Sequence, residues 1–150
     1  MNISDCMKRK VIYGSITATT RAAAQLMIQN RIGTLPIVDE NERMVGLVQL
    51  RHLITLAMPD FVNLLENVDF VPDFGAVENE CPPNELLDQP VSEIMGEPVS
   101  IEGSAGLLRA MATIQEHGLT DLPIVDSEMR LLGIASTVDI GVRLMSNWNL

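Results

Sequence analysis

Apolar and polar positions along the chain run through the same series of patterns twice. Two short apolar runs, Val11 to Tyr13 and Val99 to Ile101, predict strands. After the first, Ala23, Leu26 and Met27 recur at the spacing of one helix face. After the second, Leu107, Met111 and Ile114 do the same, with Ser104 as the expected N-cap and Gly118 as the helix stop. Each helix gives way to a continuous apolar strand, Leu35-Pro36-Ile37-Val38-Asp39 or Leu122-Pro123-Ile124-Val125-Asp126. A polar turn follows (Glu40 to Arg43; Ser127 to Arg130), then a second strand (Met44 to Val48; Leu131 to Ala135). A closing helix is predicted over Leu50 to Met58 and Thr137 to Met145. The order is β-α-β-β-α, twice.

The match extends to residue identity. The five-residue strand recurs at a shift of 87, and at the same shift Arg43 meets Arg130 and Gly46 meets Gly133. Upstream, Cys6-Met7 faces Ile94-Met95 at a shift of 88, so the first copy carries one extra loop residue. A unit of this size covers one face of its sheet with helices and leaves the other bare. Two copies about a pseudo-twofold axis can bury those bare faces, which neither could do alone. The expected fold is therefore α/β (α+β): a first repeat over residues 1–58 and a second over 91–150, separated by an insert at 59–90.

Charge sharpens this division. The net charge is −10. The first repeat holds seven bases and four acids, the insert eight acids and no base, and the second repeat eight acids and three bases. The insert also holds five of the eight prolines and all three phenylalanines. Within it Phe61, Leu64, Leu65 and Val68 have helical spacing, and 71–75 reads as a turn. Packing on the module, capping a cleft and recognising a partner all remain open roles for it.

An acidic chain is a poor match for nucleic acid, whose binding rests on Lys and Arg. No apolar run approaches the length of a membrane helix, and the first ten residues lack the apolar segment of a secretory leader, so no membrane insertion and a cytoplasmic location are expected. Two cysteines make no disulfide framework, and with His52 and His117 they show no metal-ligand spacing. No nucleophile elbow, P-loop or HExxH motif is present, so no enzyme activity is expected.

The duplicated order resembles a tandem cystathionine-β-synthase (CBS) domain pair, or Bateman module. Met7 and Met95, the two Leu-Pro-Ile-Val-Asp strands, Gly46-Leu47-Val48, Gly133-Ile134-Ala135 and Ser136 to Ile140 carry the resemblance, over about residues 4–58 and 91–146. The resemblance implies regulation rather than catalysis. It implies an adenosine-containing ligand (AMP, ADP, ATP, S-adenosylmethionine or NAD) in a cleft between the repeats, no obligatory cofactor, a homodimer, and an effector protein of unknown identity. The alternative is a module that only dimerises or docks a partner.

The family's ribose-phosphate motif is matched in the second repeat by Gly118 to Pro123 followed by Ser136 and Asp139. An ionised carboxylate can accept from both hydroxyls of a ribose, and a Ser hydroxyl at a helix start can bond phosphate. The same Ser-x-x-Asp spacing also makes a capping box. By resemblance Val99, Ser100, Leu119, Thr120 and Asp121 contact the adenine, with core packing the other reading for Val99 and Leu119, while Pro123 belongs to the ribose-phosphate motif. In the first repeat Gln49 and His52 replace Ser and Asp, and Arg31 replaces Gly118. A neutral His cannot accept from two hydroxyls. One competent cleft and one altered cleft are therefore expected, the altered one bordered by Lys8, Lys10, Gln49, Arg51 and His52. A surface helix position is the other reading of His52, and a solvated edge that of Lys8 to Lys10.

Overall fold

Buried along its whole length, the central strand β2 (Thr34–Val38) lies between β1 (Gly14–Ser15) and β3 (Met44–Gln49). A strand covered on both faces reads as a continuous apolar run, as Leu35 to Val38 does. β1 pairs with it in parallel and β3 antiparallel. The second half repeats this with β4 (Ile101–Glu102), β5 (Asp121–Val125) and β6 (Leu131–Ser136). This computed structural model describes residues 1–58 and 75–150.

The first strand of each half begins later than the apolar run suggests, at Gly14 and Ile101. Its partners are Ile37 and Ile124, one residue past Pro36 and Pro123. A proline has no N–H to give a second ladder, so each proline sits where only one neighbour pairs with it.

The helices follow the predicted stripes. Thr20, Ala23 and Met27 are buried on α1 (Thr20–Asn30), and Leu107, Ala110 and Ile114 on α4 (Leu107–His117). Thr19 caps α1, its hydroxyl accepting from the Ala22 amide at 3.1 Å. The cap of α4 is Gly106 rather than Ser104. Gly106 is the counterpart of Thr19 at the shift of 87, and Ser104 stands two residues upstream in the loop. Helices α2 (Leu50–Ala57) and α5 (Thr137–Met145) close the halves.

Between β2 and β3 the Asp39 carboxylate accepts from the Asn41 and Arg43 amides, and Asp126 does the same for Glu128 and Arg130. Two side chains thus hold the two hairpins in one shape. The hairpin tips meet across the axis, where the Met44 amide donates to the Met129 carbonyl at 2.9 Å.

The leading segments cross over between the halves. Ile3, fully buried, packs in the core of the second repeat with Leu107, Ile124 and Ile140. Its amide donates to the Ala105 carbonyl at 2.8 Å. Val91, its counterpart, packs in the core of the first repeat with Ala23, Leu35 and Val48, and its amide donates to Ala18 at 2.9 Å. Further along, Lys8 pairs with Ile134 and Gly96 with Leu47. Each core is thus completed by chain from the other repeat.

Two glycines make these crossings possible. A Cβ on Gly133 would stand 2.5 Å from Met7 Sδ and 2.7 Å from the Lys8 carbonyl oxygen. On Gly46 the crowding comes from the Met95 side chain alone. A flexible thioether can move aside, whereas a backbone carbonyl held in a pairing cannot. Gly133→Ala should cost about 2–3 kcal/mol and Gly46→Ala clearly less, read from urea unfolding midpoints.

The helix predicted over 61–68 and the turn predicted over 71–75 lie outside the described residues, apart from Gly75, which opens a short 3-10 helix, Gly75–Asn79. Past them, α3 (Asn84–Leu87) docks on α1 through Arg21, which reaches Asp88 at 3.1 Å and Asn84 at 2.9 Å.

Candidate functional site

Strand β6 runs directly into α5, so Ser136 ends one element and caps the next. Its extended backbone turns the hydroxyl onto the first helical turn, where it accepts from the Asp139 amide at 3.1 Å. Asp139 closes the box: its Oδ2 accepts from the Ser136 amide at 2.9 Å and the Ser136 hydroxyl at 3.0 Å. Lys8 adds a third contact, Nζ to Oδ2 at 3.4 Å. It is delivered there by its backbone, whose N–H and carbonyl both pair with Ile134.

The capping box expected from the Ser-x-x-Asp spacing is therefore formed, but it does not exhaust the carboxylate. All of these contacts fall on Oδ2; among the described residues, Oδ1 accepts nothing. Burial pushes the Asp139 carboxyl up, but the bonds from Ser136 and the Lys8 charge outweigh it and hold it below its ordinary range. The group is an ionised acceptor, fixed through one oxygen and open through the other. A groove of about 390 Å³ runs from Cys6 past Asp139 along Val138, Val142 and Arg143.

The equivalent position in the first repeat is built from different groups. The Gln49 amide N–H donates to His52 Nδ1 at 3.1 Å, so His52 closes the box in place of an acid. Gln49 is buried, and the amide orientation that satisfies its neighbours turns Nε2 to the Gly118 carbonyl at 3.3 Å and Oε1 to Arg51 Nη2 at 3.2 Å. The His52 ring lies against Gly96, where a Cβ would come within 3.1 Å of Cε1. This position is spanned by its own side chains.

Burial, and then the Arg51 charge, lower the His52 pKa below its usual 6.5. The ring is neutral at pH 7 with Nδ1 as acceptor, which removes the attraction a protonated ring would have for phosphate. Between the lowered value and 6.5 the unfolded chain binds the extra proton, so stability falls as pH drops through that window. His52→Gln should flatten this part of the pH profile of urea unfolding between about pH 7 and pH 5, relative to the parent chain.

The sequence groups Lys8 with Gln49, Arg51 and His52; it stands instead at Asp139, because the leading segments cross over. Lys10 follows it two residues on and is exposed. Arg51 reaches Gly118, the left-handed cap of α4. Gly118 and its box in β6–α5 are thus on different sides: Gly118 meets Gln49 and Arg51, while Ser136 and Asp139 meet Lys8. Thr120 lies near the axis, its hydroxyl 2.9 Å from that of Thr34 and donating to Asp121 at 2.9 Å. Asp121 pairs with Ser136 across the sheet. Leu119 is a core residue, Pro123 is buried within β5, Val99 packs partly buried on the same core, and Ser100 is half-buried ahead of β4. The sequence reading misses the Thr34–Thr120 contact, which joins the start of β2 to the residue just ahead of β5.

Among the described residues, no three His, Cys, Asp or Glu side chains are grouped to hold a metal ion, and no helix is long and apolar enough to cross a membrane. A model of the CBS domain family matches residues 3–58 and 91–141. The chain belongs to the CBS domain family. Its two CBS repeats form a tandem pair like those of known structure. It aligns over 97% of its length with CBSX2 in complex with AMP, covering 96% of that chain at 20% identity and a TM-score of 0.70. It aligns over 99% with the CBS domain pair of MJ0100, in complex with 5′-methylthioadenosine and S-adenosyl-L-methionine, covering 98% of that chain at 19% identity and a TM-score of 0.70. A protein of Methanopyrus kandleri, MK0525, is 26% identical over 140 residues; that stretch is 93% of this chain and 61% of the relative's length. The CBS pair here thus corresponds to part of that longer relative.

Proposed function

We propose that this CBS pair is a regulatory module that binds one adenosine-containing ligand at Ser136 and Asp139. The observation that carries this is the half-used carboxylate of Asp139. It is ionised, rigidly held at the start of a nine-residue helix, and keeps Oδ1 unengaged among the described residues. Two vicinal hydroxyls are the natural donors for it. The Ser136 hydroxyl and the first amides of α5 lie beside it, suited to an anionic group. The neighbours with AMP and with S-adenosyl-L-methionine support a ligand of this class.

The first-repeat position is not proposed as a second binding site, because Gln49, Arg51 and His52 fill it with bonds to one another and to Gly118. Val99, Leu119 and Pro123 belong to the core, Thr120 stands at the axis against Thr34, and Asp121 pairs with Ser136 across the sheet; neither they nor Ser100 are proposed as ribose partners. Titration calorimetry with AMP, ADP, ATP, S-adenosylmethionine and NAD tests the proposal. Heat of binding from at least one is expected; silence across the panel would leave only the dimerising or docking module.

Apolar side chains stand exposed on the helices of both repeats away from Asp139: Ile28 and Ile54 in the first, Leu108 in the second. They support a homodimer formed through the helices. Ile28→Glu should shift the chain toward monomer in sedimentation equilibrium, since a charge buried in an apolar contact is costly.

A further inference from the structure

We infer that Lys8 makes this site select adenosine ligands by the charge of the 5′ substituent, favouring anionic over neutral and cationic ones. The inference rests on the binding site proposed at Ser136 and Asp139 and adds its selectivity. Lys8 belongs to the first repeat by sequence, yet its ammonium stands 3.4 Å from Asp139 Oδ2 in the second. Its backbone is fixed by two bonds to Ile134, at 2.8 and 2.9 Å, and the missing Cβ of Gly133 is what admits it. Its side chain is 65% exposed, so the ion pair with Asp139 is screened and readily exchanged.

A ligand whose hydroxyls bond Asp139 Oδ1 leaves Lys8 at Oδ2, with its exposed ammonium beside the bound ribose. The fate of the ammonium then depends on the ligand's other end. A phosphate gives the exposed ammonium a second partner beside the Ser136 hydroxyl and the α5 amides, and Arg9 and Lys10 add positive charge on the same segment. A neutral thioether leaves the ammonium without one. A sulfonium places a second positive charge next to it. Of the acids at this end of the β5–β6 pair, Asp139 is committed to the ribose and Asp121 accepts from the Thr120 hydroxyl at 2.9 Å, whereas Lys8 reaches Asp139 itself.

Three probes that share adenosine separate these cases: AMP (anionic), 5′-methylthioadenosine (neutral) and S-adenosylmethionine (cationic at the sulfonium). The parent chain should bind AMP at least about 10-fold more tightly than 5′-methylthioadenosine, with S-adenosylmethionine weakest. Lys8→Met keeps the aliphatic stem and removes the charge. It should weaken AMP about 5- to 10-fold, leave 5′-methylthioadenosine unchanged and strengthen S-adenosylmethionine, while Lys8→Arg restores the order. Urea midpoints for both variants should match the parent, because the side chain is exposed. Equal affinities in the parent, or an order untouched by Lys8→Met, would overturn charge selection. If Asp139→Ala still abolished binding in that case, the site itself would stand. No binding of any probe would overturn both.

Discussion

Replacing Ile3 with Ala should destabilise the chain by about 2–5 kcal/mol. The side chain is fully buried among Leu107, Ile124 and Ile140, and its backbone is anchored to Ala105. Truncation leaves a cavity in the core of the second repeat, whose lining residues lie far along the sequence from the substitution. Val91→Ala should produce a smaller loss in the first repeat, because fewer methylenes are removed. Equilibrium urea unfolding measures both. An Ile3→Ala chain as stable as the parent would mean that the leading segment does not complete the second core, and the placement of Lys8 at Asp139 would lose its basis.

Asp139→Ala should reduce adenosine-ligand affinity about 10- to 100-fold, the range for removing a charged acceptor from two hydroxyls. It also opens the capping box, so some stability is lost with it. Ser136→Ala separates the two contributions. It removes the cap, at about 0.5–2 kcal/mol of stability, but leaves the carboxylate in place. Affinity should then follow Asp139 much more closely than Ser136, while stability falls in both. The measurements are a calorimetric titration and an unfolding curve for each variant.

The fold is open to reading because the sequence states it twice. The recurring five-residue strand, the matched Gly46 and Gly133, and Met7 set against Met95 carry the order of elements and the pseudo-twofold relation. The hairpins are equally legible, since Asp39 and Asp126 begin each turn with a side chain that bonds its own backbone. The cap of α4 is misplaced by sequence because Ser104 is a good cap in isolation, whereas position in the repeat selects Gly106. The site is legible in type but not in grouping. Ser136 and Asp139 are picked out by the family resemblance, since their spacing alone reads equally as a capping box. That Lys8 joins them, while Gly118 joins Gln49 and Arg51, comes from the crossing of the leading segments. No local pattern encodes a crossing: Ile3 and Val91 look like ordinary apolar residues until the opposite core is seen around them. The acidic net charge hides the same point. The carboxylate and the basic segment lie in different repeats, and tertiary structure brings them together.

The most direct test of a single working site is the number of AMP molecules bound per chain. Titration calorimetry should return one, with that binding lost or reduced at least about 10-fold in Asp139→Ala and kept in His52→Ala. Two equivalents per chain, or full affinity in Asp139→Ala, would contradict the assignment of the site to Ser136 and Asp139.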